Sequence, residues 1–540
     1  MKSENTSNYN SINTIKTTET ETLKQLNSEE KNSEITETEK SSSSINKDNN
    51  NRPVEITIIN DEMIGLEFPY LDDMINKKGM KSLQFKSLLI SGMIYFLEGI
   101  HSSLSGLLFI PILTSYKLST FIGCLISSSL VFCMAFGALI AGSFSQIKGR
   151  KMTIVIFLLV ISISTTFSII QHPIILLITR SINGFSLGVI LPICTNHLIE
   201  VLPKKFRSFW VISLSFFFSL GGIFSSQIMK SCHFNFKIFF FSLSIPSTII
   251  MILFTCFYDD NPRYLILHGK HEEGIKIIEK YYKNGNKIDE TEKQEIIRNV
   301  DKGINKEVML IGKHAFVFKR YKRITIILIF VWILYSFMVN GGALNIMLGN
   351  SMATGYVYEE DFSDEDFTET IDVIEVLYVI FAIIYLITGL ISEIKICGRK
   401  KLIFCGFLFS FLIQILLLIF GIENLVLIYF IGFLFINICF NIINTYSMEV
   451  YPTRVRDSAM GFLTFISRIS GFISNFVTII IIPIWTSWIF YFSLVVSFFG
   501  LIVTCLLPFD TYNRELDSKL PEKKKKPIER TNEEMIIQIK

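Results

Sequence analysis

Long apolar runs, separated by short polar segments, fill the chain from about residue 88 to residue 508. A bilayer core about 30 Å thick requires roughly 20 apolar residues in a spanning helix, and twelve runs reach this length. Their centres fall near residues 100, 130, 160, 187, 219, 247, 335, 382, 410, 436, 469 and 495. The pattern predicts an all-α polytopic membrane protein with twelve transmembrane helices.

Basic residues collect at one end of these spans, in the loops after spans 2, 4, 8 and 10. They are Lys148, Arg150, Lys151, Lys204, Lys205, Arg207, Lys395, Arg399, Lys400, Lys401, Arg454 and Arg456. The opposite loops are short and nearly free of Lys and Arg. By the positive-inside rule the basic end is cytoplasmic, and both termini lie on that side. The pattern fits a plasma membrane and an organelle or vesicle membrane equally.

Polar segments divide the chain into five parts. Residues 1–86 are rich in Ser, Asn, Thr, Glu and Lys, a composition typical of a disordered tail. We expect a six-helix bundle over 87–257, a cytoplasmic linker over 258–323 and a second six-helix bundle over 324–508, followed by a cytoplasmic tail over 509–540. The stretch 272–283 of the linker is amphipathic and predicts a short helix.

Composition agrees with a membrane protein and excludes several other classes. Of the 540 residues, 50% are hydrophobic and 18% are charged, whereas soluble domains carry about 25% charge. The net charge of +3 gives no indication of a nucleic-acid partner. The nine cysteines form no CxxC pair, so we expect no metal site. No enzyme motif and no GxxxxGK[ST] string occurs. We expect a monomer in the lipid bilayer that is not an enzyme and has no cofactor.

An internal repeat relates the two bundles. Gly149-Arg150-Lys151 recurs as Gly398-Arg399-Lys400, and 398 minus 149 is 249. The string Glu200-x-x-Pro203-x-x-x-Arg207 recurs as Glu449-x-x-Pro452-x-x-x-Arg456 with the same offset, since 449 minus 200 is also 249. Two motifs that share one offset indicate a duplicated six-helix unit.

These motifs resemble the major facilitator superfamily over nearly the whole region from 88 to 508. The loop that ends in Gly149-Arg150-Lys151 is similar to the signature between helices 2 and 3 of that superfamily, with Gln146 at the usual Asp position. The resemblance implies alternating access to a central cavity.

Two branches of the superfamily share further strings with the chain. Arg180-x-x-x-Gly184-x-x-x-Gly188 and the string 261–265, Asn-Pro-Arg-Tyr-Leu, are similar to sugar porters. The string 449–456, with Arg468 beyond it, looks more like the organic-anion and synaptic-vesicle-related transporters. The general pattern also resembles pantothenate-transporter-like proteins of apicomplexan parasites.

The first candidate site concerns protons. Glu98 lies about ten residues into span 1, His101 follows one turn later, and Arg180 lies in span 4. An ionisable side chain inside a membrane is costly and therefore a functional candidate. In proton-coupled relatives an acid of span 1 and an arginine of span 4 form the coupling pair. We expect Glu98 to exchange a proton while Arg180 competes for its carboxylate. The alternative is a static ion pair that holds the two helices together.

The second candidate site concerns an anion. Arg468 lies eleven residues into span 11, roughly 16 Å along the helix. Its planar guanidinium suits a carboxylate, and the resemblance to the organic-anion branch implies an anion-binding arginine at this interval from Pro452. The alternative is that Arg468 snorkels or binds backbone carbonyls.

Weaker candidates are polar side chains at helical spacing. Asparagines and tyrosines of spans 7, 8 and 10 are predicted to line the substrate site: Asn340, Asn345, Tyr378, Tyr385, Asn437, Asn441 and Asn444. Hydrogen bonding between helices is an equal alternative for the asparagines, and packing is the alternative for the tyrosines.

The repeated motifs predict a cytoplasmic gate. Charge pairs at the ends of these helices can hold one side shut as the halves rock. The gate residues are Gly149, Arg150, Glu200, Arg207, Arg399, Glu449 and Arg456. The alternative is interfacial anchoring by positive charge.

The sequence as a whole predicts a secondary active transporter of a small organic solute. We expect an organic anion or carboxylate, moved with a proton. The alternatives are a hexose-like sugar transporter, or a transporter-like vesicle or receptor protein that does not transport.

Overall fold

The structure, a computed structural model, describes residues 69–108, 116–232, 235–283, 285–294, 296–297, 321–353, 364–420, 425–451, 453–481 and 488–512. All elements assigned in this part of the chain are helices. Each of the twelve predicted span centres falls inside one of them. The all-α polytopic fold is therefore confirmed.

One short helix, α1 (Pro69–Lys78), precedes the helices of the first half. The helices of the first half are α2 (Ser82–Leu107), α3 (Thr120–Lys148), α4 (Arg150–Phe167), α5 (Pro173–Val201), α6 (Arg207–Ile212), α7 (Leu214–Ser231) and α8 (Phe236–Phe257). The predicted fifth span is formed by α6 and α7 together, which follow one another closely.

Two short helices precede the second half, α9 (Pro262–Leu267) and α10 (His271–Tyr282). The second half contains α11 (Lys322–Ala353), α12 (Asp364–Ser392), α13 (Arg399–Phe420), α14 (Leu425–Val450), α15 (Thr453–Ile481) and α16 (Trp488–Cys505). Within the described residues, nine helical stretches are long and apolar enough to cross a membrane.

The linker helix predicted over 272–283 is confirmed as α10, and it packs on the first half. Gln84 of α2 donates from Nε2 to the Tyr282 hydroxyl of α10 over 2.8 Å and to the Val201 carbonyl of α5 over 3.1 Å. Gln84 is fully buried, so one amide joins three helices.

Glycines at the repeated motifs separate consecutive helices. Gly149 lies between α3 and α4 with φ +84°, and Gly398 directly precedes α13 with φ +37°. Side chains with a Cβ atom rarely adopt such backbone angles. The repeated glycine is therefore where each half turns sharply from one span into the next.

Close packing of α3 against α5 explains the predicted glycine spacing. A Cβ atom at Gly184 would overlap the Leu130 carbonyl oxygen, and one at Gly188 would overlap that of Met134. Small residues allow the backbones of membrane helices to approach this closely. The two helices form one rigid wall of the first half.

Aromatic side chains join the two halves along α3 and α15. Ring centroids lie 4.7 Å apart for Phe132 and Phe472 and 5.7 Å apart for Phe136 and Phe465. Offset or tilted pairs at these distances are favourable. The helices that make this contact also form walls of the central cavity.

Candidate functional site

A cavity lies between the two halves and receives side chains from both. Its free space is about 50 Å³, which is room for a few water molecules. The lining residues are Tyr95, Glu98, Met134, Gly188, Leu191, Pro192, Thr195, Asn196, Trp332, Phe440, Asn444, Met448, Met460, Thr464, Ser467 and Arg468. The wall is thus mostly apolar, with a few polar groups and two charged ones.

The two charged groups of the cavity form an ion pair across the halves. Arg468 Nη2 of α15 donates to Glu98 Oε1 of α2 over 2.7 Å. The side chain of Glu98 is 7% exposed and that of Arg468 is 21% exposed. In this low-dielectric setting the attraction is far stronger than in water. The guanidinium is the more accessible member of the pair.

The structure does not bring Arg180 into contact with Glu98, and the role of this pair in proton coupling stays a prediction. Arg180 Nη2 donates to the Ser105 hydroxyl over 2.6 Å and to the Ser127 carbonyl over 3.4 Å, and its Nε donates to the Ile126 carbonyl over 3.3 Å. Ser105 lies two turns beyond Glu98 along α2, so Arg180 reaches neutral acceptors at another level of the bundle. Its described contacts join α2, α3 and α5.

His101 lies on the same helix as Glu98 but is not one of the cavity-lining residues. It is 2% exposed, and its Nε2 atom has no hydrogen-bond partner within the described part of the chain. Its role in proton coupling stays a prediction.

Of the predicted substrate residues, only Arg468 and Asn444 are among the described side chains that line the cavity. Asn441 instead accepts a hydrogen bond from the Ser215 hydroxyl of the other half, and Asn437 is buried outside the cavity. The side chains of Asn340 and Asn345 lie outside the described residues.

Both predicted tyrosines pack between helices and are not among the lining residues. The Tyr378 ring fills the space over Gly222 of α7, where a Cβ atom would lie 2.6 Å from it. Tyr385 stacks on Phe381 at 5.9 Å between ring centroids. The packing alternative therefore describes their contacts.

Sequence reasoning missed most of the polar groups of the cavity wall. The Tyr95 hydroxyl bonds to Thr195 Oγ1 at 2.8 Å, and Trp332 Nε1 donates to the Ser447 hydroxyl over 3.1 Å. Tyr95 lies one turn before Glu98, so helical spacing from the buried acid was a usable signal. Thr195 carried no comparable signal in the sequence.

Charged residues close the end of the bundle where Gly149 and Gly398 lie, which we call the basic face. Arg150 of α4 donates to both carboxylate oxygens of Glu200 on α5, over 2.5 and 3.1 Å. From the second half, Arg456 Nη1 donates to Glu200 Oε1 over 3.2 Å. All three side chains are at most 2% exposed. The two motif arginines thus share one buried acid.

Asp457 of α15 completes this group, and sequence reasoning missed it. Its carboxylate accepts hydrogen bonds from Asn196 Nδ2 at 2.7 Å, from Ser145 Oγ at 3.4 Å and from Arg150 Nη2 at 3.4 Å. We call these six residues the Asp457 cluster: Ser145, Arg150, Asn196, Glu200, Arg456 and Asp457. An acid from the second half therefore contacts the signature arginine of the first half.

An aromatic ring covers the outer side of the Asp457 cluster. Tyr264 of α9 lies under the Arg150 guanidinium, 4.8 Å from ring centroid to Cζ, and donates from its hydroxyl to the Ser145 carbonyl over 2.6 Å. Burial raises the pKa of Tyr264 to about 12, although the nearby guanidinium acts in the opposite direction. The phenol therefore stays a hydrogen-bond donor at neutral pH.

A second group on the basic face lies at the repeat-related position. Arg399 contacts Glu449 at 3.4 Å and donates to the Ser208 hydroxyl of the first half. Glu393, which directly follows α12, accepts from the backbone N–H groups of Ser208 and Phe209, at 2.9 and 3.2 Å. We call Ser208, Glu393, Arg399 and Glu449 the Glu393 cluster.

Arg207 is the last of the predicted gate residues. Arg207 is 4% exposed at the start of α6, beside Ser208. The six charged gate residues, all those predicted except Gly149, are therefore buried at the basic face. Interfacial anchoring would instead require exposed side chains. Their opening and closing stays a prediction.

Taken together, the fold and the cavity define a membrane transporter with two similar halves around a central cavity. The family model described as "Sugar (and other) transporter" matches residues 64–519. The chain belongs to this family, within the major facilitator superfamily.

Several characterised relatives are similar over most of the chain. The "Organic cation/carnitine transporter 7" of Arabidopsis thaliana is 24% identical over 496 residues, 85% of this chain and 97% of that protein. The "Synaptic vesicle 2-related protein" of Bos taurus is 23% identical, over 83% of this chain and 82% of that protein. The "Arabinose-proton symporter" of Bacillus subtilis (strain 168) is 25% identical, over 74% and 87%.

Solved structures share the fold. The proton:xylose symporter XylE bound to 6-bromo-6-deoxy-D-glucose superimposes with a TM-score of 0.64 at 14% identity, over 81% of this chain and 98% of that one. The inward-open xylose transporter XylE from E. coli gives a TM-score of 0.55 at 15% identity, over 77% and 95%.

Proposed function

We propose that the protein transports an organic anion together with a proton by alternating access. The observation that carries this proposal is the 2.7 Å ion pair between Glu98 and Arg468, formed across the two halves inside the cavity. An ion pair at this place joins solute binding to the relative position of the halves. Any ligand that separates the pair changes the contact between them.

Arg468 is the proposed anion-binding group. Its guanidinium can hold a carboxylate through two parallel N–H···O bonds, and the Glu98 carboxylate already occupies part of that fork. Glu98 thus acts as an internal substitute for the carboxylate of the solute. An entering carboxylate takes its place on Arg468.

Displacement of Glu98 links the anion to a proton. A carboxylate that loses its guanidinium partner in a buried site is strongly destabilised unless it is neutralised. Glu98 therefore takes up a proton when the solute anion binds Arg468. One anion and one proton enter the cavity together, and the net charge of the site does not change.

The basic face provides the proposed gate, and we propose that this face is cytoplasmic. The Asp457 and Glu393 clusters both join the first half to the second. The 50 Å³ cavity is too small for an organic solute of several heavy atoms. The halves therefore separate on one face at a time to admit and release it.

A sugar is the second candidate, and one observation favours it. Because Glu98 and Arg468 neutralise each other, the cavity carries no net charge from this pair and can hold a neutral solute. The relatives that are named for arabinose and xylose support this alternative. The synaptic-vesicle-related relatives support a third possibility, a vesicle protein without transport.

Uptake by proteoliposomes tests these candidates. Labelled carboxylates, their amides, sugars and organic cations would be compared with and without a pH gradient. We expect uptake of a carboxylate that the gradient stimulates, and loss of this uptake in Arg468→Ala but not in the control Arg323→Ala, whose side chain is exposed at the start of α11. Equal loss of carboxylate and amide uptake in Arg468→Ala would refute anion binding.

A further inference from the structure

One cavity-lining side chain is also part of the Asp457 cluster. Asn196 of α5 lines the cavity and donates from Nδ2 to Asp457 Oδ1 over 2.7 Å. This is the shortest of the bonds described for the Asp457 carboxylate, since those from Ser145 and Arg150 measure 3.4 Å or more. A single amide thus contacts both the solute site and the gate.

The partner of Asn196 fixes the orientation of its amide. A carboxylate only accepts hydrogen bonds, so the NH2 group must face Asp457 and the amide oxygen must face away from it. Asn196 is fully buried, and its Oδ1 atom accepts no hydrogen bond from any described residue. A buried acceptor without a partner is unfavourable, and a donor that reaches it is bound correspondingly well.

Neighbouring polar groups of the cavity are already paired. Thr195 Oγ1 donates its hydrogen to the Leu191 carbonyl at 2.8 Å, so the Tyr95 hydroxyl must donate to Thr195. The Ser467 hydroxyl is paired with that of Ser336 at 2.6 Å. These bonds leave the Asn196 oxygen as an acceptor that the protein itself does not satisfy in the described structure.

We infer that Asn196 selects solutes that carry a hydroxyl or amide hydrogen-bond donor in addition to their carboxylate, and that it couples their binding to the Asp457 cluster. The inference rests on the proposed function and specifies its substrate class. A donor on the amide oxygen polarises the amide and strengthens the bond from Nδ2 to Asp457. Binding of such a solute therefore favours the closed basic face.

The first test needs no variant. Uptake of a hydroxylated carboxylate such as lactate would be compared with that of propionate, which lacks only the hydroxyl, in proteoliposomes of the full chain. We expect a preference for lactate of roughly threefold to tenfold, the value of one net hydrogen bond. Equal uptake of both acids overturns the inference but leaves the proposed function intact. No uptake of any carboxylate means that the proposed function itself fails.

The second test removes the amide. In Asn196→Ala, the preference for lactate over propionate should disappear, whatever the total rate of uptake. Asn183→Ala is the matched control, because Asn183 is buried on the same helix but bonds to Ser164 and Thr165 instead of lining the cavity. A preference that survives in Asn196→Ala contradicts the inference. If Asn196→Ala does not fold, the lactate and propionate comparison in the unaltered chain decides alone.

The third test follows the gate. Ser458 of α15 packs against Gly142 of α3 across the halves, so a thiol introduced by Ser458→Cys becomes accessible when the basic face opens. The rate at which an impermeant maleimide alkylates this thiol is measured after subtracting the rate for the unaltered chain. It should fall by roughly threefold or more with lactate and not with propionate. Equal protection by both acids, or none by lactate, contradicts the coupling.

Discussion

Asn261 and Asp510, which are 249 residues apart, make the same turn in the two halves. The Arg263 N–H donates to Asn261 Oδ1 over 2.9 Å, and the Tyr512 N–H donates to Asp510 Oδ1 over 2.8 Å. Each side chain also contacts its own motif: Asn261 donates to Glu200, and Asp510 accepts from the backbone N–H of Arg399. The repeat therefore extends beyond the spans, to the segments that follow α8 and α16, the sixth and twelfth spans.

The shared acid of the Asp457 cluster gives the first prediction. Glu200→Gln removes the negative charge that Arg150 and Arg456 share, and all three groups stay buried. Breaking a buried pair by removing one partner costs about 3–5 kcal/mol. We expect a clearly lower Tm in detergent, measured by thermal unfolding.

Glu273→Gln is the control for this substitution. Its pair with Lys270 is exposed on both sides at 3.8 Å, and such pairs contribute at most about 1 kcal/mol. A Tm that is equally lowered in both variants would mean that the buried acid has no special role.

The ion pair in the cavity gives the second prediction. Glu98→Gln keeps a hydrogen-bonding side chain next to Arg468 but cannot bind or release a proton. We expect uptake that no longer responds to a pH gradient, whereas exchange of labelled for unlabelled solute persists. Glu375→Gln should retain the response, because Glu375 pairs with Lys230 outside the cavity. If uptake by Glu98→Gln responds fully to the pH gradient, the proposed proton coupling is wrong.

Arg180 gives the third prediction, since its described contacts with α2 and α3 are to neutral groups. Arg180→Gln should lower the Tm, because buried carbonyls lose their donors, at about 1–3 kcal/mol for each group left unsatisfied. The pH dependence of the remaining uptake should be unchanged. Uptake that loses its pH dependence in Arg180→Gln would restore the coupling role expected from the sequence.

The glycines of α5 give the fourth prediction. Gly184→Ala introduces a Cβ atom where the Leu130 carbonyl oxygen lies, so α3 and α5 must move apart. Overpacking of this kind costs typically about 1–3 kcal/mol, and we expect a lower Tm and less folded protein by size-exclusion chromatography. Ser181→Ala on the same helix is the control, because it removes a hydroxyl that donates to the Leu177 carbonyl of its own helix and adds no atom to the helix surface. A Tm unchanged in Gly184→Ala would contradict the close packing.

The sequence predicts the spans and the repeat because both follow from local patterns. Membrane-length apolar runs need only composition, and Gly149 and Gly398 mark the same turn in each copy. Glu98 and Arg468 were also found individually, since a charge within an apolar run is conspicuous. The fold and the two charged residues of the cavity can therefore be predicted from the sequence.

The side-chain contacts between the two halves could not be predicted from the sequence. Glu98 was assigned to Arg180 by resemblance, whereas its partner lies 370 residues away in the other half. Asp457 was missed because its repeat-related position, 249 residues earlier, is Ser208, so the repeat gave no signal for an acid there. Contacts between halves depend on how the two copies dock, and the internal repeat alone does not determine this.

The difference between Asp457 and Ser208 has a consequence for how the basic face opens. In the Glu393 cluster, Arg399, Glu393 and Glu449 belong to the second half, and Arg207 of the first half attracts Glu449 across the halves. In the Asp457 cluster, Arg150 and Asp457 belong to opposite halves and must be pulled from each other. Opening the basic face therefore separates opposite charges on both sides, and the Asp457 side has the additional contact between Arg150 and Asp457. We expect the Asp457 side to separate after the Glu393 side.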